Sequence, residues 1–274
     1  MLFNCGKFQL NLHRPHVMGI VNVTPDSFSD GGRFSKANLA LQHALSLIEQ
    51  GADILDIGGE STRPNAVPVS LQEELDRVIP VIEGLVNQIN IPISIDTYKP
   101  QVMQAAIDAG ASIVNDVRAL QESGAIDMIA ASNVGVCLMH MQGTPQTMQI
   151  NPQYNDVVAE VKAFLQQRLV ACEEAGIVKN RILLDPGFGF GKTRVHNITL
   201  IQHLARFASL GQPLLVGLSR KSVLGQVTGN DVDSRLYSSI AASVISAMVG
   251  ARILRVHDVK ATVEALKVVI AIQQ

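Results

Sequence analysis

With 274 residues, 47% of them hydrophobic and only 17% charged, the chain can bury a large core, and its formal charge of −2 argues against nucleic acid or an anionic membrane surface as a partner. Residues 1–12 lack the charged, apolar, cleavable succession of a signal peptide, and no apolar run approaches the roughly 20 residues that span a bilayer. The expectation is one domain over 1–274 in a soluble, cytoplasmic protein, with any anion site a local one. Cys5, Cys137 and Cys172 have neither the spacing of a zinc site nor that of a disulfide framework and read as inert thiols.

The alternation over residues 7–12 predicts a small hairpin. Residues 16–23 form an apolar run, hence a buried strand, that passes abruptly into Asn22-Val23-Thr24-Pro25-Asp26-Ser27-Phe28-Ser29-Asp30-Gly31-Gly32. Pro25 breaks the strand, the paired glycines bend the backbone, and an amide, carboxylates and hydroxyls stand ready for a ligand or metal. Ser35 is placed to cap a helix whose Leu39, Leu41, Leu45 and Ile48 lie mostly on one face, with Gly51 to end it. A strand over 53–57 leads into Gly58-Gly59-Glu60-Ser61-Thr62-Arg63-Pro64. Ser70 with Glu73 has the spacing of a capping box, and Pro80 sets a kink or break in the helix that follows.

Further on, strands are predicted over 91–96, 112–115, 134–140, 181–185, 214–217 and 253–257. Between them lie a helix opened by Pro100 and capped by Gly110, a long helix over 155–175 stopped by Gly176, a helix over 234–249 and a closing helix. Eight apolar strands alternating with helices imply a parallel sheet, and that number of units in this length fits an α/β fold of the (β/α)8 TIM-barrel type better than an open doubly wound sheet. The N-terminal hairpin would then cover the bottom of the barrel.

In a barrel the C-terminal strand ends converge on one mouth. Those ends carry Asn22, Thr62 with Arg63, Asp96, Asn115, Met139 with His140, Asp185, Lys221, and Arg255 with His257. Any one of them is ordinary strand-end chemistry, but the set is convergent. Arg255 and His257 share a face and, with Asn22, Thr62 and Arg63, offer donors suited to phosphate oxygens. Asp96, Asn115 and Asp185 are the acceptors and mixed groups that read a heteroaromatic ring with adjacent N–H groups. The run Gly187-Phe188-Gly189-Phe190-Gly191-Lys192-Thr193 looks like a phosphate loop, yet Pro186 occupies the place of its first glycine. His140 has no second ligand at metal spacing and is given a structural role.

The chain resembles the dihydropteroate synthase family over nearly its whole length. The resemblance is carried by the first two loops quoted above and by Ser94-Ile95-Asp96-Thr97, Asn115-Asp116-Val117, Asp185-Pro186-Gly187-Phe188-Gly189-Phe190, Ser219-Arg220-Lys221-Ser222 and Arg255-Val256-His257-Asp258. It implies that Asp96, Asn115, Asp185 and Lys221 hold a pterin ring, with Met139 and Gly217 packing nearby. Asn22, Thr62, Arg255 and His257 would take the diphosphate, Asn22 through a magnesium ion. Phe28 and Asp30 in the first loop, with Arg63 and Pro64 in the second, would close over the site, and Phe190, Lys221 and Ser222 would cradle p-aminobenzoate. The implied reaction is attack of the arylamine on the pterin methylene carbon as pyrophosphate leaves, with Lys221, Arg255, His257, Asp96 and Asp185 as the catalytic set. The alternatives are a pterin-binding barrel that transfers a methyl group from methyltetrahydrofolate to a corrinoid, and a non-catalytic paralogue. A homodimer is also implied. Arg235-Leu236-Tyr237-Ser238 departs from the family's small residue and glycine on the outer helix concerned, and so puts the packing of subunits in question rather than the chemistry.

Overall fold

The computed structural model of the protein describes residues 1–24, 33–62 and 66–273. A two-stranded antiparallel hairpin, β1 (Leu2–Cys5) and β2 (Phe8–Asn11), precedes the barrel, and its turn falls at Gly6 and Lys7. The barrel strands are β3 (His16–Asn22), β4 (Ile54–Gly58), β5 (Ile93–Asp96), β6 (Ile113–Asp116), β7 (Gly135–Met139), β8 (Ile182–Asp185), β9 (Leu214–Val216) and β10 (Ala251–Val256). All pair in parallel in chain order, and β10 returns to β3 to close the ring. This is the (β/α)8 architecture expected from the sequence.

Because side chains alternate across a strand, the barrel strands other than β5 feed two separate cores, and β5 turns Ser94 and Asp96 inward. Val17, Val21, Leu55, Ile57, Ile95, Val114, Val136, Leu138, Leu184, Val216 and Leu254 join the helices outside. Met18, Ile54, Ile113, Cys137, Leu183, Leu215 and Ile253 gather inside with Phe3, Cys5 and Leu12 from the hairpin region. The hairpin therefore plugs the N-terminal end of the barrel. Its fit is close: a Cβ on Gly135 would stand 2.4 Å from the Phe3 ring, so β7 begins with the residue that leaves room for it. Burial pushes the Cys5 thiol up to about 12, that of Cys172 to about 11 and that of Cys137 well above its ordinary range, which keeps all three protonated.

The helices are α1 (Arg33–Glu49), α2 (Leu71–Val86), α3 (Pro100–Asp108), α4 (Ala125–Ala131), α5 (Val157–Glu174), α6 (Arg194–Gln202), α7 (Ser222–Thr228), α8 (Leu236–Met248) and α9 (Val259–Gln273). Ser35 lies within the first turn of α1 rather than at its cap. Ser70 does cap α2, its hydroxyl accepting from Glu73 N at 3.2 Å, but the Glu73 carboxylate pairs with Arg77 and does not complete the box. Pro80 neither ends nor interrupts α2. A proline inside a helix costs about 3 kcal/mol, whereas burying Val78, Val81, Ile82 and Leu85 is worth about 1.5–3 kcal/mol each. Among the described residues, no helix is long and apolar enough to cross a membrane.

Candidate active site

The inward positions above the apolar plug are polar. Asp56, one turn of the pleat before the end of β4, is completely buried. It accepts from Arg255 Nε at 2.5 Å and from Asn115 Nδ2 at 3.2 Å. The same guanidinium donates through Nη2 to Asp96 at 2.6 Å. Strand register aligns the next layer: Asn22 is level with Gly58, Gly58 with Asp96, and Asp96 with Asn115. On the far wall Met139 is level with Asp185. Gly217, just past β9, lies beside the stem of Arg255: a Cβ there would make an ordinary contact, 3.7 Å from Arg255 Cβ.

Asp185 ends β8 and accepts the Gly187 N–H at 2.7 Å. Lys221 reaches over from the loop after β9, donates to the Phe188 carbonyl and stands 4.5 Å from the centre of the Phe190 ring. Ser219, two residues earlier, accepts the His257 backbone N–H at 3.1 Å and bonds its ring Nδ1 at 3.1 Å, which ties the β9 and β10 ends together. Ser222 is the exposed first residue of α7.

Three carboxylates, Asp56, Asp96 and Asp185, thus face two cations, Arg255 and Lys221, inside a well shielded from water. Desolvation and the surplus negative charge make ionisation harder. Burial, opposed by Arg255, pushes Asp96 up to about 7, and burial likewise raises Asp185. Burial pulls Lys221 down to about 8, although Asp185 opposes the shift. Among the described residues, the second oxygens of Asp56 and Asp96 have no hydrogen-bond partner. Glu74 Oε1 and Ser94 Oγ are likewise without a partner; buried polar atoms in this state are rare in a folded protein, and the Asp56 and Asp96 oxygens can accept from a ligand that carries N–H groups.

The glycine-rich run after β8 is structural. Gly187 adopts φ +70°, and a Cβ there would lie 1.8 Å from the His140 carbonyl oxygen; Gly191 adopts φ +63° against Gln142. Lys192, buried, spends its ammonium on His140 Nδ1 at 2.9 Å, Gly187 O at 2.8 Å and Phe190 O at 3.0 Å. Burial and the neighbouring Lys192 lower His140 to about 3, so it is a neutral acceptor. Its structural role follows from that bond.

The structure brings Asp96, Asn115, Asp185, Lys221 and Arg255 into one pocket, with Met139, Gly217 and Phe190 on its walls. Asn22 lies beside Gly58 at its edge, and Thr62 is half-buried in the loop after β4. Phe28, Asp30, Arg63 and Pro64 lie outside the described residues. Arg255, expected to serve phosphate oxygens, points two of its five N–H groups at carboxylates. Asp56 is the functional residue that reading strand ends missed. Its signal was an acidic residue at an inward position within the apolar run Ile54-Leu55-Asp56-Ile57.

The chain, a barrel with buried carboxylates facing Arg255 and Lys221 at its C-terminal end, belongs to a known family: the model described as pterin binding enzyme matches residues 18–257. Within that family the kinship is with the dihydropteroate synthases. The chain is 54% identical to dihydropteroate synthase of Escherichia coli K12 over 260 residues, covering 95% of this chain and 92% of the relative. It superposes on the Yersinia pestis dihydropteroate synthase in a sulfonamide drug complex with a TM-score of 0.95, at 50% identity, over 100% of this chain and 99% of that one. The Xanthomonas albilineans enzyme with 4-aminobenzoic acid gives a TM-score of 0.94 at 54% identity, over 99% and 98% of the two chains.

Proposed function

We propose that this chain is a transferase that condenses p-aminobenzoate with a dihydropterin methyl diphosphate to give dihydropteroate and pyrophosphate. The observation that carries the reading is the wall of Asp56, Asp96, Asn115 and Asp185, in which Arg255 ties Asp56 to Asp96 and one oxygen of each of those two is unpartnered. A pterin presents adjacent N–H donors, and a carboxylate accepts two of them side by side. Lys221 and Asn115 supply the donors the ring needs for its own acceptors.

The arylamine is already neutral, so the reaction needs no strong general base. The protein has to align the reacting atoms, exclude water and stabilise charge as it develops. Breaking the carbon–oxygen bond leaves positive character on the pterin, and the surplus negative charge of the well is placed to stabilise it. The departing diphosphate gains negative charge at the rim. There, Arg255 N–H groups not used by Asp56 and Asp96, together with His257 and Thr62, are the donors. Phe190 and Lys221 form one side of the p-aminobenzoate site, with Ser222 beside them to meet its carboxylate.

Magnesium suits this arrangement as a partner of the substrate, because it takes one or two protein oxygens and fills its remaining positions with phosphate and water. Asn22, beside Gly58, offers one amide oxygen, and an ion there would neutralise charge on the leaving group. Phe28, Asp30, Arg63 and Pro64, to which the family resemblance gives a role in closing over the substrates, lie outside the described residues. The reading extends to one domain in a cytoplasmic protein that sulfonamides inhibit at the p-aminobenzoate site, as the Yersinia pestis complex suggests. A homodimer is supported by the apolar outer face of α8 and α9, where Met248, Val268 and Ile272 are exposed.

The test mixes the protein with magnesium, hydroxymethyl-dihydropterin diphosphate and p-aminobenzoate and measures pyrophosphate. Release that depends on the arylamine, with dihydropteroate formed, is the expected result. Tight pterin binding without release would overturn it.

A further inference from the structure

The loops after β4, β5 and β6 are strapped together by side chains outside the set assigned to substrate. Lys99 caps α3, three residues past Asp96. Its ammonium bonds Glu60, in the segment that leads to Thr62, and Glu74 Oε2 in the first turns of α2, the latter at 2.5 Å. All three groups are withdrawn from water: the side chains of Lys99, Glu60 and Glu74 are 16%, 7% and 1% exposed. Burial alone would lower the Lys99 pKa, yet the two carboxylates hold it raised, so the ammonium stays charged between them.

The strap runs on in both directions. Tyr98 donates to Glu60 at 3.4 Å and lies under the Arg118 guanidinium, 4.7 Å from its ring centre. Arg118 belongs to the loop after β6, the strand that carries Asn115. That loop is strained: Ala119 and Leu120 both adopt left-handed conformations, at φ +52° and +57°. Asp116 accepts from Arg118 N at 2.8 Å and Leu120 N at 2.7 Å, and Arg168 of α5 holds the two carbonyls at 2.8 and 3.0 Å. Strain of this kind persists only where the surroundings over-determine it. On the other side Arg77 of α2 donates to the Gly59 carbonyl at 2.6 Å.

We propose that Lys99 is a positioning residue, which through Glu60 fixes the segment carrying Thr62 relative to the strand end carrying Asp96. It thereby sets the distance between the diphosphate donors and the ring-gripping carboxylates. The reaction requires the methylene carbon to be presented at one angle between the diphosphate donors and the ring-holding groups, and Lys99 bridges Thr62 of the first set to Asp96 of the second. The inference rests on the functional reading above, in that Thr62 serves the diphosphate.

The test measures binding of two ligands, hydroxymethyl-dihydropterin and its diphosphate, by the wild type, Lys99→Met, Lys99→Arg and Glu60→Gln, with kcat and KM for each. Lys99→Met is expected to weaken the diphosphate about 10–100-fold, the scale of loss that small misplacements cause, while changing affinity for the bare pterin less than about twofold. Lys99→Arg should restore most of the loss. Glu60→Gln leaves the Lys99 and Glu74 pair neutral and so folds even if Lys99→Met does not, and it should show the same selective loss. Combined with Lys99→Met it should add little, because both act through one contact. Equal loss for both ligands, or no loss, overturns the proposal. If the wild type itself does not prefer the diphosphate, the functional reading fails instead.

Discussion

Asp96→Asn is expected to stabilise the free protein while impairing its ligand binding. A pKa raised from 3.8 to about 7 means that the folded state holds the Asp96 proton more tightly than the unfolded chain does. Stability then falls as pH rises from about 4 to about 7 and is flat above, because only in that window does the unfolded chain release a proton that the fold retains. Each pKa unit is worth about 1.4 kcal/mol, so the shift sets a ceiling of about 4 kcal/mol on the strain that ionised Asp96 places on the empty well at alkaline pH. Asparagine keeps the shape, leaves an oxygen for Arg255 and removes the charge, while Asp56 still pairs the guanidinium. Urea unfolding of both proteins at about pH 4.5 and about pH 8.5 checks this: the variant should gain on the wild type by about 2–3 kcal/mol more at the higher pH. Calorimetric titration with a pterin should show its affinity lost at both. A variant less stable than the wild type at the higher pH would refute the reasoning, since the carboxylate would then be a net support of the fold.

Four further outcomes follow from the geometry. Arg255→Ala leaves Asp56 and Asp96 buried and unpaired, so it should lower the unfolding free energy by about 3–5 kcal/mol and weaken diphosphorylated pterin by about 2–5 kcal/mol; unchanged affinity would remove Arg255 from the anion site. Phe3→Ala empties the plug and should cost about 3–5 kcal/mol in chemical denaturation, with kcat retained by the fraction that stays folded. Gly187→Ala forces a side chain onto the His140 carbonyl at a left-handed position, and should abolish pterin binding or folding as followed by circular dichroism. Val268→Glu on α9 should yield a monomer by sedimentation if the exposed apolar face joins two copies, and no change would leave that face unassigned to a dimer.

Much of the architecture was legible because each barrel strand is a short apolar run followed by a glycine, proline or polar break, which is what burial on both faces of a parallel sheet requires. Strand ends such as Asp96, Asn115 and Asp185 announced the mouth for the same reason. Asp56 did not, because its meaning depends on Arg255, 199 positions away along the chain, and only closure of the ring brings the two together. The short helix α4 escaped notice because it starts at Gly124 with φ +81° and no capping side chain. In α6 the capping box is completed by His196 where a glutamate or glutamine is the usual signal. Pro80 misled in the other direction, since a proline's local penalty is visible in sequence and the buried face that outweighs it is not.

The hairpin at the bottom also governs traffic. With Phe3 and Leu12 stopping the N-terminal end, the barrel among the described residues is a well closed at its bottom, and whatever enters from the mouth must leave by the mouth. On the function proposed above, a pterin held by Asp96, Asn115 and Asp185 would sit deeper in that well than p-aminobenzoate beside Phe190 and Ser222. An arylamine that arrived early would then have to step aside before the pterin could descend, and the joined product would depart arylamine end first.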